Sequence, residues 1–73
     1  MSIEQLDYQY SAWFERTKRL KEAQFDISKP ITYRIKAIRM FELMKRRLAL
    51  LKVTYKQQYP EKRQHVIRQI HSL

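Results

Sequence analysis

Ile3, Leu6, Tyr10, Trp13, Thr17 and Leu20 recur at alternating spacings of three and four residues, the pattern of one helix face packed against another. Ser2 with Gln5 three positions later reads as a capping box, and Glu4 and Asp7 place negative charge near the positive end of a helix dipole. The pattern predicts a helix from Ile3 to about Gln24, with Arg16, Arg19 and Glu15 opposite the apolar face and Lys18 and Lys21 on its flanks. It breaks between Phe25 and Pro30, where Asp26 and Ser28 favour turns and caps and Pro30 suits only the first turn of a following helix. A second helix is predicted from Ile31 to Gln58, ended by Pro60, and a third from Pro60 to about Ser72. Whether Pro60 separates two helices or kinks one is left open by the pattern.

Winding the second helix at 100° per residue gathers Tyr33, Ala37, Met40, Phe41, Met44, Leu48, Leu51 and Tyr55 into one stripe about 100° wide. Ile31, Ile35 and Ile38 lie to one side of it, and Leu43 and Leu50 lie elsewhere again. One facing helix does not cover them all. These five residues are the candidate partner interface, with Val66, Ile67, Ile70 and Leu73 of the third helix expected to cover one such patch and a second copy of the chain another. The expected fold is all-α and one domain over residues 1–73: an antiparallel hairpin of two long helices plus a short C-terminal helix, completed as a dimeric bundle.

Composition narrows the function. The 73 residues contain no glycine and no cysteine, which excludes Walker loops, dinucleotide fingerprints, EF-hand turns, disulfide scaffolds and cysteine-ligated zinc. Sixteen Lys and Arg against seven Asp and Glu leave a net charge of +9, whose self-repulsion an acidic partner would relieve. The N-terminal pattern is not that of a secretory leader, and no apolar run approaches the roughly 20 residues that span a bilayer. A cytoplasmic setting is expected, and membrane binding is disfavoured because cations and apolar residues are both spread around the second helix.

Arg34, Lys45 and Lys56 follow one another at intervals of eleven, with Lys52 on the same line, a stripe of more than about 30 Å in a straight helix. Lys36 and Arg47 are also eleven apart, Arg39 and Arg46 seven, and only Glu42 interrupts the cations between Ile31 and Tyr59. On the first helix Arg16, Lys18, Arg19 and Lys21 form a second cluster, expected to lie beside Arg34, Lys36 and Arg39 in an antiparallel hairpin. These twelve cations are the candidate nucleic-acid contacts, of the kind that neutralise phosphates without reading bases. A solvated helix surface accounts for about half of them on any reading. Tyr10, Trp13 and Tyr33 are assigned to the core, and Tyr8 and Phe14 to surface or interface work.

Glu61 and His65 share a helical face, but with His71 pointing elsewhere they make no three-ligand metal site. The serines are explained by caps, turns and chain ends, so no catalytic set is expected. Neither enzyme activity nor a cofactor is predicted. Two partners remain: nucleic acid, or an acidic surface of a larger protein.

Overall fold

The computed structural model describes residues 2–73. Their regular structure is entirely helical: α1 spans Ile3–Gln24, α2 spans Ile31–Gln58, a single 3-10 turn covers Pro60–Lys62, and α3 spans Arg63–His71. The expected capping box is formed. The Ser2 hydroxyl accepts from the Gln5 N–H at 3.2 Å and the Gln5 side-chain oxygen accepts from the Ser2 N–H at 3.3 Å, which satisfies two donors that a helix start leaves bare.

Both breaks are made without glycine, and no described residue has a positive φ. At the first, Asp26 Oδ1 accepts from the Ser28 N–H at 3.0 Å and from the Ser28 hydroxyl, a local turn that competes with helix continuation. Pro30 stands one residue ahead of α2 with φ −60° and ψ 156°, so it precedes the first turn and does not lie within it. At the second break Tyr59 leaves helical geometry at φ −139° and ψ 66°. Pro60 therefore separates two helices, because its ring crowds a helical residue before it. The first three residues after the break wind as the tighter 3-10 turn, and α3 begins only at Arg63.

α1 and α2 pack against each other in opposite directions. Tyr55 near the end of α2 donates to Asp7 near the start of α1, Arg47 lies over Trp13, and Leu20 and Ala23 share a cleft with Ala37 and Met40. After Pro60 the chain folds back along α1: Lys62 pairs with Asp7 at 2.9 Å, Gln69 accepts from the Tyr10 hydroxyl at 2.7 Å, and Leu73 lines a cleft with Phe14.

The core sits where three helices meet. Leu6, Tyr10, Leu48, Tyr55 and Val66 form one buried cluster, flanked by Trp13, Phe14, Leu51, Tyr59, Ile70 and Leu73. Tyr10 and Tyr55 meet edge to face at 5.8 Å between ring centres, a favoured aromatic geometry. Toward the connection only two helices remain, and burial thins to Thr17, Ala37 and Phe41. The dimensions, 42 × 19 × 15 Å, are those of a rod. This thinning corrects three expectations. Tyr33 and Met40 fall on the predicted core stripe yet stay substantially exposed, because no third helix reaches them. Phe14 is not a surface residue: it stacks on Tyr10 at 5.6 Å and packs against the core. And α3, instead of covering the surplus of α2, leaves Ile31, Ile35, Ile38, Leu43 and Leu50 all exposed.

Candidate nucleic-acid interface

Hairpin packing sorts the twelve candidate cations into three groups. Taking the buried residues Ala37, Leu48 and Tyr55 as the inward line of α2, the 100° turn per residue places Arg34, Lys45, Lys52 and Lys56 within an arc of about 40° on one side of it. On the same side of the hairpin, Lys18 and Lys21 of α1 line a cleft with Phe14, Gln69 and Leu73. These six flank α3. Arg16 and Arg47 lie on the other side, at 5.1 and 5.0 Å from the centre of the Trp13 ring, and Lys36 borders the neighbouring cleft. Arg19, Arg39 and Arg46 turn away from the helix contact altogether. The dense run Lys45, Arg46 and Arg47 is thereby dispersed, since consecutive helical residues point about 100° apart.

The acids lie mostly apart from these surfaces, with Glu22 the exception that lines the same cleft as Lys18 and Lys21. Glu4, Glu15 and Glu22 fall on one outward line of α1, and Glu42 points outward from α2 by the same winding. Asp7 is engaged by Tyr55 and Lys62, hydrogen bonds that hold its carboxyl below the ordinary carboxylate range. Asp26 is likewise lowered, first by its bonds from Ser28 and then by the charges of Lys29 and Arg34. Among the described residues the ion pairs are Lys62 with Asp7, and Lys18 with Glu15 at 3.8 Å on the solvent-exposed surface. Among the described residues, eleven of the twelve candidate cations therefore have no carboxylate within ion-pair distance.

Several cations are placed over aromatic faces instead. Besides the two arginines at Trp13, Lys18 lies 5.8 Å from the Phe14 ring centre, Lys45 5.3 Å from Phe41 and Lys29 5.7 Å from Tyr33. Three of these are i,i+4 neighbours in the chain, and the two arginines at Trp13 come from different helices. These rings position cations and have less face left for stacking nucleobases. Tyr8, exposed at 77%, lies on the acidic outer line of α1, away from the cations. The arrangement suits phosphate neutralisation better than base stacking. The Arg34 Nε is buried without a hydrogen-bond partner among the described residues, a feature that sequence alone does not disclose.

No group of three or more His, Asp and Glu side chains among the described residues is arranged to hold a metal ion, and no described helix is long and apolar enough to cross a membrane. No protein-family model, curated protein or solved structure matches the chain.

Proposed function

We propose that this is a small non-enzymatic, cytoplasmic accessory protein that binds nucleic acid mainly through phosphate contacts. One observation carries the reading: Arg34, Lys45, Lys52 and Lys56 form a line of roughly 33 Å along α2, joined on the same side by Lys18 and Lys21 of α1, and among the described residues only Lys18 of these six meets a carboxylate. Neutralising such cations releases counterions from a phosphate backbone, and the affinity depends on how many are engaged rather than on which bases are present.

The test is binding to unrelated duplex and single-stranded oligonucleotides across a salt series. Affinity should be similar between sequences and fall linearly on a log–log salt plot, and Lys45→Gln should flatten the duplex slope by about 0.9. Negligible binding even at low salt ends the proposal.

A second reading is favoured by a separate observation, the apolar surplus that the fold leaves uncovered. On it, the protein docks on an acidic surface of a larger protein. The same surplus supports a homodimeric bundle through Ile31, Ile35 and Ile38, which share one arc of α2 about 60° wide and are each at least 43% exposed.

A further inference from the structure

We infer that the Trp13 side of the hairpin is a docking groove for an acidic amphipathic helix of a partner protein. The inference rests on the second reading above and specifies its surface and occupant. Between α1 and α2, on the side away from α3, lies an open cleft of about 240 Å³ lined by Leu20, Ala23, Tyr33, Lys36, Ala37 and Met40. Its lining is mostly apolar. Further along α2 the same arc carries Met44 and Leu51, with Leu43, exposed at 52%, at its rim, so the apolar strip from Tyr33 to Leu51 is about 27 Å long. That length matches a partner helix of about 18 residues.

Charge decides what kind of helix fits. Arg16, Lys36 and Arg47 stand along the strip, and the winding of both helices puts all five of their acidic residues, Glu4, Asp7, Glu15, Glu22 and Glu42, outside the arcs that face this side. A second copy of the chain would bring the same cations against these. A phosphate backbone would answer the cations but leave Met40 and Leu43 in water. An amphipathic helix whose apolar positions are flanked by Glu or Asp satisfies both requirements: it seats side chains in the cleft and sets carboxylates against guanidinium groups. Its carboxylates would displace or share the two arginines now lying over Trp13.

Trp13 is the only tryptophan, so its emission reports on this groove without a label. The full-length protein is titrated with a synthetic helix-forming peptide carrying Leu at every third or fourth position and Glu between them, and with a scrambled peptide of the same composition. The amphipathic peptide should change the Trp13 emission saturably and bind about tenfold more tightly than the scrambled one. Leu43→Ser, at a half-exposed position, should weaken it about fivefold with the helical circular dichroism unchanged. Equal binding of both peptides overturns the groove and leaves acidic docking standing. Failure of both at low salt overturns the groove and the docking reading together. Displacement of the peptide by an oligonucleotide assigns this side to nucleic acid, and a dimer that Leu43→Ser converts to monomer assigns it to a second copy. Either result overturns the inference.

Discussion

Tyr10 and Tyr55 show how one residue type serves two purposes in so small a core. Each buries its ring while its hydroxyl finds a partner across the fold, Tyr10 at Gln69 and Tyr55 at Asp7. Burial raises the Tyr10 phenol to about 12. Burial, reinforced by the Asp7 carboxylate, pushes Tyr55 up as well. Both folded-state values lie above those of the unfolded chain, so their contribution is complete below about pH 10 and is lost as pH rises through the folded values. The urea midpoint is accordingly expected to decline above about pH 10, and Tyr55→Phe to flatten that decline while lowering the midpoint at neutral pH. An alkaline limb unchanged by the substitution would contradict the assignment. At acid pH the sign reverses for Asp7: its lowered value stabilises above about 3.9 and the benefit disappears as pH falls.

The elements differ in how well they are supported. The ends of α1 and α2 that meet α3 enclose Leu6, Leu48 and Val66, all nearly inaccessible. At the opposite end, where α1 and α2 meet only each other, the connection exposes Phe25 at 72% and Ile27 at 88%. A two-helix layer buries only one stripe of each helix, and local opening costs least where apolar contacts are few. Hydrogen exchange should therefore be faster for amides near residues 20–36 than for those near Leu6, Leu48 and Tyr55. Saturating oligonucleotide should slow exchange along the Arg34 to Lys56 side of α2. Uniform protection along α2 in the free protein would show that the two-helix half is as stable as the three-helix half.

For the whole molecule, the question is how a +9 chain of 73 residues remains folded with so little core. Small single cores contribute only a few kcal/mol of net stability, and like charge opposes compaction. Relief from outside follows from both facts. Pairing of two hairpins through Ile31, Ile35 and Ile38 would bury apolar surface at the cost of bringing +18 together, so dimerisation should strengthen with salt while oligonucleotide binding weakens. Light scattering on a gel-filtration peak, at low and high salt, measures this directly. Ile35→Lys should yield a monomer at both, and a wild-type monomer throughout a wide concentration range would remove the dimer from the account.

Helix boundaries were legible in the chain because local chemistry sets them: a capping box at Ser2 and Gln5, a side-chain turn at Asp26 and Ser28, and a proline at position 60. Apolar periodicity likewise marked the inward residues Leu6, Tyr10, Thr17, Ala37, Phe41, Leu48 and Tyr55. Periodicity shows which side of a helix is apolar. It does not tell how far a third helix reaches, and so it assigned Tyr33 and Met40 to the core and Phe14 to surface or interface work. The cations carried the same limitation. Their spacing put Arg34, Lys45, Lys52 and Lys56 on one line, but the positions of Arg16 and Arg47 at Trp13, and the separation of acids from the groove beside it, depend on how two helices are rotated about each other. Local sequence determined the helices and their ends, since caps, turns and proline act within a few residues. Tertiary packing alone decided which faces remain open, because that depends on contacts between residues of different helices, far apart in the chain.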